Sequence, residues 1–306
     1  MTREELNQEK QQEIFSEERH EKRRKITIFV FKLCFFIVVG FLVFYGYTTF
    51  VSSKVLSIKE KRIINENLPD NFNGVKVIHF SDLHYGTTIF KKDLKKLVLE
   101  INKRSPDLVF FTGDLIDKNY DLSTDEQEQI INLLKKIDCS LGKYAVSGEE
   151  DDNEMFFTIM KESNFEVLNN SYELIYNNAD EPILLIGLDS LLTDKYDISE
   201  AFAYYNEPTH NSNVFSITLL HEPDMIDDIL DDYTSNLILA GHSHNGSIVF
   251  PFIGGIYRVD GAREYYKEYY QINDSHVYIS SGIGTNGPGF RLFCRPSFNF
   301  FRISNK

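Results

Sequence analysis

Along its first fifty residues the chain passes from a densely charged stretch to one with no charge at all. Residues 1–25 mix Glu, Gln, Lys and Arg, whereas 33–51 (LCFFIVVGFLVFYGYTTFV) holds 19 residues without a charge. As a helix that run extends roughly 28 Å, the hydrocarbon thickness of a bilayer. A buried core helix seldom stays uncharged for so long, and the apolar stretch of a secretory signal is shorter, about 7–15 residues. The pattern predicts a transmembrane anchor over residues 26–51; cleavage near Ser52-Ser53 is the alternative and would release a soluble form. Lys22, Arg23, Arg24 and Lys25 stand directly before the run, while Lys54 and Lys59 follow it sparsely. By the positive-inside rule, 1–25 is a cytoplasmic tail, and the chain beyond about residue 55 lies outside a cell membrane crossed once.

From Val75 the pattern becomes short apolar runs that stop at polar residues: VKVIHF (75–80), DLVFF (107–111), KYAVS (143–147), ILLIGL (183–188), SITLL (216–220) and NLILA (236–240). Amphipathic stretches separate several of them, at 92–104, 126–137 and, less regularly, 199–205. Strand–helix alternation predicts an α/β layered fold. Beyond Gly246 shorter strands follow in SIVF, GGIYRV, HVYIS and the final 291–303. With no repeat or low-complexity break, residues 63–306 read as one domain after a linker over 52–62.

Strand ends are where an α/β sheet places its ligand site. Here they carry Asp82 and His84, Gly113-Asp114, the run Gly148-Glu149-Glu150-Asp151, His221, and Gly241-His242-Ser243-His244. In extended backbone, residues i and i+2 share a side, which would let Asp82 with His84, and His242 with His244, present paired donors. Mixed carboxylate and imidazole donors suit Mn, Fe or Zn. His79, mid-strand, reads as a satisfied core histidine, and Ser81 and Ser243 lack the base that a serine nucleophile needs. Arg263 and Arg291 are candidate phosphate contacts, and the glycine-rich 282–289 is a turn or a phosphate cradle.

Net charge sharpens this reading. Of the total of −14, residues 1–25 contribute nothing and 26–62 contribute +4, leaving −18 on 63–306. So acidic a domain repels polyanions unless bound cations reverse the local field, which argues against nucleic-acid binding. Three cysteines build no disulfide framework, although a single Cys139–Cys294 bridge stays open.

The order D-x-H, G-D, G-x-x-D, H, G-H-x-H resembles the calcineurin-like metallophosphoesterase superfamily across about 63–306. The surrounding text (LPDNFNGVKVIHFSDLHYG, VFFTGDLID, LLHEPD, GHSHNG, YISSGIGTNG…R) is most similar to its membrane-anchored bacterial branch of YkuE-type phosphodiesterases and YaeI-type UDP-diacylglucosamine pyrophosphatases. The resemblance implies a four-layer sandwich, two mixed β-sheets flanked by helices, and two divalent metal ions. It implies that Asp82, His84 and His244 hold the first ion, Asp114 bridges both, and His221 and His242 hold the second. It further implies hydrolysis of a phosphoester by water activated between the ions. Where the family reads G-N-H-D or G-N-H-E, this chain has Gly148-Glu149-Glu150-Asp151. Glu149 replaces the neutral Asn ligand of the second ion, and Glu150 replaces the His that assists the leaving group. Glu150 would act as an acid only when protonated. A phosphodiester or pyrophosphate, which needs less help from an acid, is therefore expected over a simple monoester. Placement near a bilayer points to a phospholipid or lipid-linked substrate. The alternative is a metal-binding or envelope-interaction module that keeps the fold without turnover.

Overall fold

The computed structural model describes residues 3–246, 249–250, 254–255, 258–285, 289 and 291–306. It divides into two units, one before Thr49 and one from Thr49 to Lys306. The first unit is a single helix, α1 (Arg3–Gly46), with no break between the charged tail and the apolar run. Its apolar side chains, Phe31, Phe36 and Val43 among them, are exposed along its length. Over Glu13–Thr49 the helical segment is long and apolar enough to cross a membrane.

The second unit contains two six-stranded mixed sheets. The first is built from β1 (Ser57–Ile64), β2 (Lys76–Phe80), β3 (Leu108–Thr112), β4 (Gly142–Val146), the short β5 (Glu166–Val167) and β14 (Ser297–Ser304), in the order β1-β14-β2-β3-β4-β5. Only the β14–β2 pairing is antiparallel. The second sheet runs β12-β13-β9-β8-β7-β6, from β12 (Tyr269–Ile272), β13 (Ser275–Ile279), β9 (Leu237–Ala240), β8 (Ser216–Leu219), β7 (Ile183–Gly187) and β6 (Ser171–Ile175). Helices α2 (Lys91–Asn102), α3 (Thr124–Leu134) and α4 (Glu154–Glu162) cover the first sheet, and α5 (Ile198–Ala201) and α6 (Ile226–Asp232) the second. A two-stranded pair, β10 (Val249–Phe250) and β11 (Gly254–Gly255), stands apart from both sheets.

Strand parity explains why the runs read as continuously apolar. In β3, Leu108 and Phe110 join the layer between the sheets, while Val109 and Phe111 pack with the helices; β7 and β9 divide in the same way. Both faces of each central strand are buried, so each strand is mostly apolar, with His79 in β2, Lys143 in β4 and Thr218 in β8 as buried polar exceptions. The layers are helix, sheet, sheet, helix, the expected four-layer sandwich.

The linker expected over 52–62 is strand from Ser57 on. Ser57–Ile64 is an edge strand, parallel to β14 from Ser57↔Ser297 to Ile64↔Ser304. Its Lys59, Glu60, Lys61 and Arg62 hid it from a search for apolar runs, and charge on an edge strand guards against strand addition. Cys139 and Cys294 are both free thiols. Ser247-Ile248, Ile256-Tyr257 and 286–288, parts of the expected strands and of the glycine-rich run, lie outside the described residues.

His79 is wholly buried between the sheets, where Nε2 meets Thr112 Oγ1 at 2.9 Å and Nδ1 meets Asn299 Nδ2 at 3.3 Å. Burial lowers its pKa to about 3. The unfolded chain takes up a proton below about pH 6.5, whereas the folded ring stays neutral until about pH 3. This residue therefore costs stability as pH falls through that window, by up to about 1.4 kcal/mol per pH unit. Between pH 7 and 4.5 the melting temperature should fall further in the wild type than in His79→Gln, measured by thermal denaturation. Equal falls would contradict the assignment.

Candidate metal centre

The strands of both sheets deliver their carboxyl ends to one edge of the sandwich. Asp82 and His84 follow β2, Asp114 follows β3, Glu149 to Asp151 follow β4, His221 follows β8, and His242 and His244 follow β9. The local geometry differs from the extended pairing read from sequence. Asp82 (φ 50°), His84 (φ 39°), Asp114 (φ 61°), His242 (φ 63°) and His244 (φ 46°) all occupy the left-handed region. Tight left-handed turns, rather than strand alternation, aim these side chains inward. Asp and His tolerate that conformation better than bulkier residues do, and clustered strain of this kind marks functional sites. Glycine makes the approach possible. A Cβ on Gly113 (φ +83°) would lie 2.5 Å from His221 Nδ1, and one on Gly148 would lie 2.4 Å from Asp114 Oδ1.

Two groups of potential ligands result, Asp82 with His84 and His244, and Asp114 with His221 and His242; within each, the ligand atoms lie within 4.8 Å of one another. Asp114 stands between them, its Oδ2 3.2 Å from His221 Nε2 and 3.6 Å from His84 Nε2. Asp82 Oδ1 lies 3.5 Å from His244 Nε2, and the Nε2 atoms of His84 and His244 are 3.2 Å apart. Glu149 Oε2 is 3.8 Å from His242 Nδ1, and Glu149 forms a further group with His242 and Glu222.

The outward nitrogen of each histidine is held. His221 Nδ1 donates to the Thr112 carbonyl at 2.6 Å and His242 Nε2 to the Asp260 carbonyl at 2.7 Å. His84 Nδ1 faces Glu150 Oε2 at 3.1 Å, and His244 Nδ1 accepts from Arg291 Nη2 at 3.1 Å. Such partners fix ring orientation and tautomer in metal sites. Asp151 accepts from the backbone N–H groups of Asp114 (2.7 Å), Leu115 (2.9 Å) and Gly148 (3.0 Å), tying the ends of β3 and β4 together. Burial, reinforced by Asp114, pushes its carboxyl up to about 7.

The donor set fits metal ions on its own chemistry. Among the described residues His221 Nε2 is buried without a hydrogen-bond partner, with Asp114 Oδ2 3.2 Å away. Because Nδ1 is the donor to Thr112, the neutral ring turns an Nε2 lone pair toward the carboxylate of Asp114. Lone pairs facing at that distance repel unless positive charge sits with them, and the titration directions agree. Burial works against a charge on His221, yet Asp114, Glu222 and Asp82 raise it well above its usual value. Burial likewise opposes a charge on His84, but Glu150, Asp114 and Asp82 raise it to about 9. Burial would raise Asp114, and His221, His84 and His242 instead hold it well below the carboxylate range. Burial raises both Asp82 and Glu149. His244 is pushed well below its usual value, first by burial and then by the Arg291 guanidinium, which keeps the ring neutral.

All seven residues expected at the metals thus meet at this edge. Arg291, expected to contact phosphate, is wholly buried behind His244, with Nη1 on the Ser281 carbonyl at 2.5 Å. Arg263 is exposed and paired with Asp260. Ser81 donates to Asp82 and Ser243 to the Tyr266 carbonyl, so neither serine faces a base. Sequence reasoning missed Asp117, which groups with His84 and Glu150, and Glu222, whose oxygens accept from Ser190 Oγ (2.6 Å) and Leu191 N (2.8 Å). The signal was present, since Asp117 lies three residues beyond Asp114 and Glu222 directly follows His221.

Known proteins give the same picture. The calcineurin-like phosphoesterase family profile matches residues 75–246. The chain is 30% identical over 265 residues to the uncharacterized metallophosphoesterase YkuE of Bacillus subtilis strain 168, covering 85% of this chain and 90% of that one. It is 26% identical over 282 residues to a transmembrane protein with metallophosphoesterase domain of Danio rerio, covering 85% and 59% respectively. It is also 26% identical over 239 residues to the UDP-2,3-diacylglucosamine pyrophosphatase LpxG of Chlamydia trachomatis serovar D, covering 62% and 70%. Ligand groups at the strand ends, the sandwich that carries them and these likenesses lead to one conclusion: the chain belongs to the calcineurin-like phosphoesterase family of metal-dependent phosphoester hydrolases.

Proposed function

We propose that this protein is a membrane-anchored binuclear phosphodiesterase or pyrophosphatase acting on a lipid or lipid-linked phosphoester at the cell envelope. The observation that carries this reading is Asp114, whose single Oδ2 reaches a histidine of each ligand group. In it, Asp82, His84 and His244 hold one divalent ion, Mn, Fe or Zn. Asp114 bridges, and Glu149, His221 and His242 hold the second. When bound, such ions polarise the phosphoryl oxygens and lower the pKa of water at the site. The protein's part is to fix both ligand groups on rigid strand ends and to hold the outward histidine nitrogens on Thr112, Asp260, Glu150 and Arg291.

Charge supports a diester or pyrophosphate. Three carboxylates at the centre, Asp82, Asp114 and Glu149, leave less positive charge for a dianionic monoester than a set with a neutral Asn at 149. Glu149→Asn should therefore lower the ratio of diester to monoester kcat/KM, by about tenfold, since a unit charge a few ångströms away at intermediate dielectric is worth more than 1 kcal/mol. Parallel assays of bis(p-nitrophenyl) phosphate and p-nitrophenyl phosphate measure it, and an unchanged ratio would remove this argument.

The helix over Glu13–Thr49 supports anchoring, and Lys22 to Lys25 support a cytoplasmic N-terminus with the phosphoesterase domain outside. The relative that cleaves a diacylated UDP-sugar supports a lipid-linked pyrophosphate. Phosphorus NMR of the full chain in mixed micelles, loaded with Mn²⁺, tests the substrate class. Cleavage of a lipid-linked diphosphate or phospholipid diester is expected, and hydrolysis of soluble monoesters alone would overturn the reading. One observation favours a second reading, a metal-binding module without turnover: Glu150, at the position of the leaving-group acid, is turned into the protein against His84.

A further inference from the structure

We propose that Glu150 is a positioning residue, a buried carboxylate that fixes the ring of His84 for the first metal site and gives no proton to the leaving group. The inference rests on the binuclear reading above and departs from the acid role expected for this position.

The Glu150 side chain is 1% accessible and a carboxylate oxygen lies within 4.8 Å of those of Asp114 and Glu149, so its hydrogen bonds rather than its burial set its role. Its Oε2 lies 3.1 Å from His84 Nδ1 and accepts from the Lys118 backbone N–H at 3.0 Å. Its Oε1 lies 3.7 Å from the Lys118 ammonium, and its own backbone N–H donates to Asp114 Oδ1 at 3.1 Å. One residue is thereby joined to a ligand of the first group and to the residue between the groups. A carboxylate only accepts, so His84 donates through Nδ1 and turns Nε2 toward Asp114 and His244. Carboxylate, imidazole and metal in that order form a recurrent arrangement in metal sites, where it orients the ring and raises its basicity. Asp117 also groups with His84 and Glu150, and its Oδ1 accepts from the Asn119 backbone N–H at 2.9 Å. The exchange of His for Glu at 150 then reads as a trade: an acid is given up and a firmer first site is gained.

Mn²⁺ titration of the full chain in detergent, with Glu150→Ala and the isosteric Glu150→Gln, tests the proposal. The wild type is expected to bind two equivalents. Glu150→Ala should weaken one of them by about 10–100-fold and leave the other unchanged. Glu150→Gln, whose amide oxygen still accepts from Nδ1, should recover most of the loss and shows that the fold tolerates a change here. Activity with both sites saturated gives a second readout. Diesters with good and poor leaving groups should lose rate equally in Glu150→Gln. A loss that grows as the leaving group worsens would restore the acid role and overturn the proposal, as would two unweakened equivalents in Glu150→Ala. A wild type that binds no Mn²⁺ would instead overturn the binuclear reading beneath it.

Discussion

Asp114→Asn should abolish turnover and strip metal from both sites. The Asp114 Oδ2 lies 3.2 Å from His221 and 3.6 Å from His84, so the residue serves both ligand groups. Its other oxygen accepts from the backbone of Glu150, which fixes the carboxylate in place. An amide keeps the shape but removes the charge, and presents an N–H₂ group to at least one site. Partners that merely orient a ligand are worth about 10–100-fold, so a shared ligand should cost roughly 10³-fold or more in rate. Metal content and diester hydrolysis measured on one preparation check both halves. Two tightly bound ions, or near-normal turnover, would refute a bridging Asp114.

Arg291→Leu should destabilise the second unit more than most single changes. The guanidinium is wholly buried and donates to the carbonyls of Ser281, Gly282 and Gly284 and to His244 Nδ1. Leucine fills part of the volume but takes the guanidinium donors away from the Ser281 and Gly284 carbonyls and His244 Nδ1, while the Gly282 carbonyl keeps the Ser297 backbone N–H. At about 1–3 kcal/mol for each orphaned group, partly relieved by relaxation, the total is about 3–5 kcal/mol. For a domain of this size that corresponds to a melting temperature lower by roughly 10 °C. Arg291→Lys should recover a fraction of this, since an ammonium reaches fewer of the four acceptors. A melting temperature within 2–3 °C of wild type, a shift worth only about 1 kcal/mol, would show that the loop of 281–284 does not depend on Arg291.

How much of this was legible in the sequence depends on what each residue does locally. The six central strands were visible because both their faces are buried, which makes each a largely apolar run. The ligand cluster was visible because strands at the middle of an α/β sheet stop at one edge, so a polar residue at each end is brought to one place without knowledge of the turns. The turns themselves were not visible, and the extended geometry assumed for Asp82 with His84 is replaced by left-handed backbone. β1 escaped notice because only Ile63 of its eight residues is fully buried, and its charges sit on an outer edge. Arg291 was misread, and the role proposed for Glu150 was hidden, for one reason. Residue type and spacing place a side chain near the site but do not fix its direction, and both point inward, one to His84 and the other to the 281–284 carbonyls and His244.

On the proposed reading, the seven side chains Asp82, His84, Asp114, Glu149, His221, His242 and His244 form a working two-metal phosphoesterase despite the glutamates at 149 and 150. Hydrolysis of bis(p-nitrophenyl) phosphate by the full chain in detergent micelles, loaded with Mn²⁺ and compared with Asp114→Asn, tests it most directly. Turnover well above that variant is expected, lost on chelation and restored by Mn²⁺. Two bound ions with turnover no greater than the variant's would contradict it, and would leave a metal-binding module on a phosphoesterase fold.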